Sequence, residues 1–492
     1  MVGMRDEAEL RAAAITVEAG AASAASEGLH RAAPARSAKR VLFWTQAVVL
    51  GACCWALSLA VRQDPPLAWR IALIFSYVLF MIATCWRLVA AASLQPLLSR
   101  LAEPKSAWPI YTLLCPVYRE AGVVFDLVAA IDRLDYPQTA LDVKILVEAD
   151  DLDTLAAALA AAGAPHIEVV VIPAAAPRTK PKALNVGLAR ARGEFLAVYD
   201  AEDRPHPLQL RAALAAFEDG GPQLACVQAP LVVDNAGASW ISRQFAAEYA
   251  IQFRETLPTL ARLGLPLPLG GSSNHFRLSA LRASGAWDPY NVTEDIDLAY
   301  RLARDGWRGA VIAPPTWEEA PITLRAWLAQ RTRWIKGHIH TWLVLMRDPL
   351  RTAREMGAPA FWSMQLVLGG GIAASFLHGP LALTVMFALF SPGDTLGVPG
   401  FALALGGYCV SVFATLTASA LSGDLSHVRA APTMPLYWPL ATIAAAGAVF
   451  DLLLRPHHWA KTEHGVSPRA RLPFRPSLSR RPALPASIAE SA

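Results

Sequence analysis

The chain has 492 residues, enough for more than one structural unit, and 54% of them are apolar against 17% charged. Its mean hydropathy of +0.33 is high for a water-soluble enzyme. The net charge of +4 is small for this length, which gives no reason to expect a nucleic-acid partner, and the six cysteines show no CxxC or other ligand spacing, so neither a disulfide framework nor a zinc site is expected.

Residues 1–40 are Ala-rich and lack caps, aromatics or a clear apolar period, and read as a mostly disordered cytoplasmic extension. Residues 41–94 hold two predicted transmembrane helices. Val41–Val61 is an uncharged run of about the 20 residues a bilayer core needs, flanked by Arg36, Lys39, Arg40 and Arg62. It is too long for the apolar part of a cleaved signal and too far from the N-terminus, so it reads as a retained anchor. Ile71–Trp86 centres the second run, with Arg70 and Arg87 placed to snorkel toward the interface.

Residues 103–349 have the composition of a soluble domain, in which short apolar runs alternate with helical patterns. Strands are predicted at Ile110–Cys115, Val143–Glu148, Ile167–Ile172, Glu194–Tyr199 and Leu224–Ala229, and helices at Glu120–Arg133, Thr154–Ala162, Lys182–Ala191 and Leu208–Phe217. This rhythm predicts an α/β domain on a largely parallel sheet covered on both faces. Residues 359–454 turn lipophilic again, in the runs Phe361–Phe390, Val398–Leu421 and Leu436–Leu454. The first is too long for one ordinary span and is interrupted by His378-Gly379-Pro380, which suggests two short helices and about four spans in this region. Residues 455–492 form a Pro-rich basic tail. Its Lys and Arg residues, with those before Val41, place both ends in the cytoplasm and ask for an even number of crossings, about six.

Ligands of open α/β sheets lie beyond the carboxyl ends of the strands. The first predicted strand runs into Tyr118 and Glu120, which suit either a nucleobase or a plain turn and helix start. The second ends at Glu148, Asp150 and Asp151, which suit a uracil or ribose or, equally, a capped helix. The fourth runs straight into Asp200-Ala201-Glu202-Asp203, clustered carboxylates whose hard oxygens suit Mg²⁺ or Mn²⁺ and, through it, a diphosphate. No GxGxxG or GxxxxGK[ST] stretch occurs. Thr293-Glu294-Asp295 reads as a helix N-cap or as the carboxylate pair that supplies a proton acceptor, Asp295 being the candidate base. Gln330-Arg331-Thr332-Arg333-Trp334 lies in an Arg- and Trp-rich interfacial helix, where Arg333 can pair with a diphosphate and Trp334 can stack on a sugar ring. Pro456–Gly465, aromatic and basic, reads equally as a lid over the site or as a headgroup anchor.

The order of KPKALN (Lys180–Asn185), DAED, GGSSNHFR (Gly270–Arg277), TED and QRTRW between two apolar regions resembles the membrane-integrated family-2 glycosyltransferases, which include bacterial cellulose, curdlan and mixed-linkage glucan synthases. The resemblance implies a GT-A catalytic domain on the cytoplasmic face of a bacterial inner membrane and inverting transfer from a UDP-sugar with Mg²⁺ or Mn²⁺. It further implies a donor site of Tyr118, Glu120, Glu148, Asp150, Lys180, Asp200 and Arg333, and metal ligands Asp200 and Glu202, joined or replaced by Asp203. Acceptor contacts would be Gly271, Ser272, Glu294, Gln330 and Trp334, with the base at Asp295. VEADD, DAED and GGSSN depart from the usual motifs at the nucleoside, metal and acceptor positions. The expected activity is processive transfer of glucose from UDP-glucose to the non-reducing end of a nascent β-glucan, moved across the bilayer and passed to a periplasmic export partner. The alternative is transfer of one sugar to a membrane lipid, as ceramide glucosyltransferases perform; a conduit subunit with an inactive nucleotide domain is the non-enzymatic alternative.

Overall fold

The structure, a computed structural model, describes residues 7–93, 95–103, 106–390 and 397–459. Its centre is an eight-stranded sheet built from β1 (Ile15–Thr16), β2 (Tyr111–Val117), β3 (Leu141–Glu148), β4 (Ile167–Ile172), β5 (Phe195–Val198), β6 (Leu224–Gln228), β7 (Asn274–Arg277) and β8 (Arg308–Val311), in the order β1-β4-β3-β2-β5-β7-β6-β8. Every pairing is parallel except those of β7, which runs against both β5 and β6. The sheet is thus largely parallel, as the sequence rhythm predicts, and all five predicted strands are in it. β3 is buried along its whole length, as a strand covered on both faces must be. Its ionic residues survive there because they are paired: Lys144 Nζ lies 2.8 Å from Asp142 Oδ1 and 2.7 Å from Glu168 Oε2, Thr112 and Arg192 also donate to Asp142, and Glu148 pairs with Lys182.

The reversed strand decides where the site lies. Antiparallel pairing sets Asn274 opposite Val198, so the Gly270–Ser273 loop that enters β7 lies beside the acidic turn that leaves β5. Ser273 takes a left-handed conformation (φ 54°), which lets its N–H donate to Val198 O at 2.7 Å while its carbonyl accepts from Ala229 N.

From residue 7 to residue 40 the chain forms regular structure, where the sequence suggests disorder. β1 adds a parallel edge strand beside β4, and helix α1 (Ala19–Ala32) buries Ala22, Ser26 and Leu29. Asn185 Nδ2 donates to Ala25 O, and the backbone N–H of Ala38 reaches Asp288 Oδ2 at 2.5 Å. Small residues at helical spacing bury little area each, but they allow close approach to the KPKALN helix.

Among the described residues four helices are long and apolar enough to cross a membrane: α2 (Trp44–Gln63), α3 (Pro65–Ala92), the stretch Ala358–Met386 and Phe401–Ser422. A bent pair, His427–Tyr437 with Leu440–Leu454, makes a fifth if counted as one span. Two or three candidates therefore follow the catalytic domain among the described residues, against the about four expected. The difference lies at His378-Gly379-Pro380, which does not break its helix, α8 (Gly370–Phe390). The Gly379 N–H donates to Thr442 Oγ1, and that hydroxyl donates to Ser375 O, both at 2.8 Å. A hydroxyl from the Leu440–Leu454 helix thus replaces the backbone bond that Pro380 disturbs, which keeps both groups satisfied in an apolar setting.

Candidate active site

A cavity of about 560 Å³ opens where the carboxyl end of the sheet meets the membrane helices. Its polar wall brings together Lys180, Asp200, Glu202, Gly271, Ser272, Glu294, Asp295, Gln330, Arg333 and Trp334. Lys180 is the first residue of α4 (Lys180–Ala189); its ammonium forms an ion pair with Asp200 and donates to Gly271 O at 2.6 Å. Burial opposes the charge, but Asp200 and Glu294 outweigh it and hold the Lys180 pKa above the usual lysine value. The glycine loop is pinned from β6: Gln228 Oε1 accepts from Gly270 N at 2.9 Å and its amide donates to Ser272 O at 3.0 Å. Gln228 is a positioning residue the sequence did not single out, since one Gln at a strand end carries no pattern. At Gly271 a Cβ would lie 3.6 Å from Asp295 Oδ2 and 3.9 Å from Lys180 Nζ, so any larger side chain there would occupy the space between the Lys180 ammonium and the Asp295 carboxylate.

Glu294 and Asp295 begin α6 (Glu294–Arg304). Thr293 stands at the N-cap position, as read, but its hydroxyl donates to Asn291 Oδ1 at 3.3 Å and makes no cap bond. The first turn of α6 instead offers its backbone N–H groups to the two carboxylates. Burial, then the Asp295 charge, pushes Glu294 up to about 7, and burial also raises Asp295, against its backbone N–H bond, Lys180 and Arg333.

Arg333 and Trp334 come from α7 (Leu324–Leu345). Burial lowers the Arg333 pKa below the usual guanidinium value, with Glu294, Asp295 and Asp200 opposing, and its Nε is buried without a partner. Gln330 Oε1 is likewise buried and unpaired. Such groups, costly to leave unmet, are what an absent polar ligand would satisfy. Trp334 stacks on Tyr249 with centroids 6.4 Å apart at 23°. Arg333 also lies over the Trp459 ring at 5.5 Å, and Trp459 lines the cavity. Of the Pro456–Gly465 stretch the described part is therefore against the site; residues 460–465 lie outside the described residues.

The acidic turn divides its work. Asp200 faces the cavity and Glu202 lines it, whereas Asp203 is 1% exposed and uses Oδ2 to accept from Asp200 N at 2.8 Å, holding the turn. Its Oδ1 is buried without a hydrogen bond, and burial, then Asp200 and Glu202, raises its pKa well above the carboxylate range. Glu318, from a small three-stranded sheet with Arg204–Pro205 and Leu231–Val233, is pushed up to about 8 by burial and by Glu202. Among the described residues no group of three or more His, Cys, Asp or Glu stands ready to hold a metal ion. The donor set fits a divalent cation that Asp200 and Glu202 would hold, since hard carboxylate oxygens clustered at a cavity wall are what such a cation would neutralise.

Tyr118, Glu120, Glu148 and Asp150 do not line this cavity; they gather at the ends of β2 and β3. Asp150 forms an ion pair with Arg178 at 2.6 Å. Glu148 is buried against Lys182 Nζ at 2.8 Å, and Lys182 also reaches the carbonyl of Ala175 at 3.0 Å. Glu120 Oε2 accepts from Tyr118 N at 3.2 Å, and Asp151 caps the following helix through Thr154 N. Arg178 and Lys182, which balance these acids, were not singled out in the sequence.

Comparison with known proteins places this geometry. Over 439 residues the chain is 25% identical to a beta-monoglucosyldiacylglycerol synthase of Synechocystis sp., covering 83% of this chain and 88% of that one. A protein of the same name from Trichormus variabilis is 25% identical over 275 residues, 54% of this chain and 56% of its own length. Glucomannan 4-beta-mannosyltransferase 7 of Arabidopsis thaliana is 25% identical over 244 residues, 47% of this chain and only 43% of that one. The polymer-forming relative therefore matches less than half of its own length, whereas a relative named for a glucosylated lipid matches almost throughout. This overturns the expectation of processive β-glucan synthesis, and the nascent polysaccharide and export partner fall with it. The family described as Glycosyl transferase family group 2 matches residues 195–445, about half of the chain, and the chain belongs to that glycosyltransferase family.

Proposed function

We propose that the protein transfers one glucose from UDP-glucose, with inversion, to the free hydroxyl of diacylglycerol at the membrane. The observation that carries the reading is a single cavity faced both by Lys180, Asp200, Asp295 and Arg333 and by Trp86, Arg87 and His378 of the apolar helices. Basic residues on both sides of the apolar regions support a multi-pass protein whose catalytic domain is cytoplasmic. The nucleoside rests at the β2 and β3 ends, near Tyr118, Glu148 and Asp150, and the diphosphate at Lys180 and Arg333, a planar guanidinium suited to two phosphate oxygens. Asp200 and Glu202 would hold Mg²⁺ or Mn²⁺, which supplies positive charge to the leaving diphosphate. Asp295 takes the proton from the lipid hydroxyl as its oxygen bonds to the anomeric carbon, while the bond from that carbon to the diphosphate oxygen breaks and UDP leaves. Gln330 and Trp334 position the acceptor and the sugar.

The test is purified protein in detergent with labelled UDP-glucose, Mn²⁺ and dioleoylglycerol, its product resolved by thin-layer chromatography. A single glucolipid is expected. Asp295→Asn should retain UDP binding and lose about 10²- to 10⁴-fold in turnover. Absence of any glucolipid from the wild-type protein would refute the reading.

A further inference from the structure

We infer that the acceptor reaches the site sideways from the bilayer, through a crevice between α3, α8 and α9 (Gly397–Ser422), and that Arg87 holds an ester carbonyl of its glycerol backbone there. This rests on the reading that the acceptor is a diacylglycerol and specifies where the protein takes hold of it. The catalytic cavity does not end at Trp334. It shares Ala83, Arg87, Ala374, His378, Ser411 and Trp438 with an adjoining pocket of about 60 Å³, whose remaining walls are mostly apolar, among them Leu79, Phe80, Leu377 and Leu381. All of these but Trp438 belong to helices that qualify as membrane spans, so the crevice faces hydrocarbon at one end and carboxylates at the other. Small residues make it: Ala83 and Ala374 line it, and Gly407 approaches the Phe80 ring so closely that a Cβ would collide.

Arg87 stands at the junction. It donates to Ser411 Oγ at 2.7 Å, and among the described residues no carboxylate lies within ion-pair distance of it. The acids that act on it at longer range, Glu248 and Glu255, belong to helices between the strands of the α/β domain, and Glu255 accepts from Thr417 of α9. A guanidinium carries five N–H donors, and an ionisable group at membrane depth without a close counter-ion marks a functional site. Electronegative atoms of a lipid are its natural partners. At the other end of the cavity Glu202, Glu294, Asp295 and Glu318 collect. Diacylglycerol, the acceptor of the proposed reaction, presents a bare hydroxyl to Asp295 and offers its ester carbonyls to Arg87.

The experiment compares wild-type and Arg87→Met protein on dioleoylglycerol and on its diether analogue, which has the same hydroxyl and chains but no carbonyls. Loss of a charged hydrogen bond should raise the KM for the diester about tenfold or more, with the KM for UDP-glucose unchanged and UDP binding intact as the check on folding. The wild-type protein should already handle the diether as poorly as the variant handles the diester, and Arg87→Met should not worsen it further. Ala374→Phe, which fills the crevice, should lower transfer to dioleoylglycerol in vesicles while leaving UDP affinity unchanged. An equal loss on diester and diether, or a changed donor KM, overturns the assignment of Arg87. Undiminished transfer by Ala374→Phe overturns the lateral route. No glucolipid from the wild-type protein on either substrate overturns the function itself, and this inference with it.

Discussion

Gly337→Ala should damage catalysis more than stability. Gly337 lies where α7 crosses the start of α6, and a methyl group there would come within 3.0 Å of three Thr293 side-chain atoms, closer than carbon packs. Thr293 is 5% exposed and cannot swing away, because its hydroxyl bonds Asn291 Oδ1 and the Asn291 amide donates to Thr341 Oγ1 at 2.8 Å on α7 itself. Overpacking of this kind costs about 1–3 kcal/mol, while Ala in place of Gly inside a helix returns about 1 kcal/mol. The net loss is about 0–2 kcal/mol, a fall of a few degrees in Tm. The crossing that must open, however, sets Asp295 on α6 against Arg333 on α7. A displacement of about 1 Å there costs about 10²-fold in rate. Turnover with UDP-glucose and diacylglycerol should therefore drop about a hundredfold with UDP affinity preserved, measured beside thermal unfolding. Wild-type turnover with an equal or higher Tm would refute the claim that this crossing fixes the catalytic pair.

Glu294→Gln should leave the acidic limb of the pH–rate profile nearly in place, because Glu294, pushed up to about 7 by burial and by the Asp295 charge, is already neutral where Asp295 gains its proton. Glu294 titrates near 7 in the fold against 4.5 for the free side chain; the folded state therefore binds the extra proton between these values and loses stability as pH rises through that window. The same variant should flatten that decline in thermal melts from pH 4.5 to 7. Asp200→Asn should weaken Mn²⁺-dependent UDP binding about tenfold or more in calorimetry, with binding in chelator little changed, because one of the two cation ligands that face the cavity is lost. Thr442→Val should lower stability in detergent by about 1–3 kcal/mol, since the Gly379 N–H and Ser375 carbonyl both lose their partner in an apolar setting; an unchanged Tm would remove Thr442 from the helix repair.

The interior of the catalytic domain was legible because its strands are covered on both faces, which leaves runs such as Leu141–Glu148 that only a parallel sheet accommodates. The acidic turn after β5 was legible for the opposite reason, carboxylates placed where apolar sequence ends. Short pieces were not. β1 has two residues and β7 four, too few for periodicity to register, and β7 is positioned by its reversed pairing with β5 and β6. The N-terminal extension was misread because Ala22, Ser26 and Leu29 make a face of weak hydrophobic contrast whose burial depends on the chain it meets. Arg178 and Lys182 acquire meaning only beside Asp150 and Glu148, contacts between segments that no local pattern announces.

The acceptor was the hardest part to read, for a chemical reason. Base, cation ligands and leaving-group contacts are the same whether the attacking hydroxyl belongs to a sugar chain or to a lipid, so those motifs cannot separate the two. The distinction lies beyond Trp334, where a growing polymer would need a continuous passage and a lipid needs a side opening. In this protein the cavity is walled along α7 by Arg331, which reaches Glu248 at 2.5 Å and lies over the Trp327 and Trp334 rings, and by Trp327, whose indole donates to Tyr437 at 2.8 Å. Trp438 stacks on His378 at 5.7 Å, and Thr442 joins its helix to α8. From these walls the cavity continues toward Ala83, Arg87 and Ala374, at the level of the spans. A side opening of that kind suits an acceptor that arrives within the membrane and leaves by the same route, carrying one sugar.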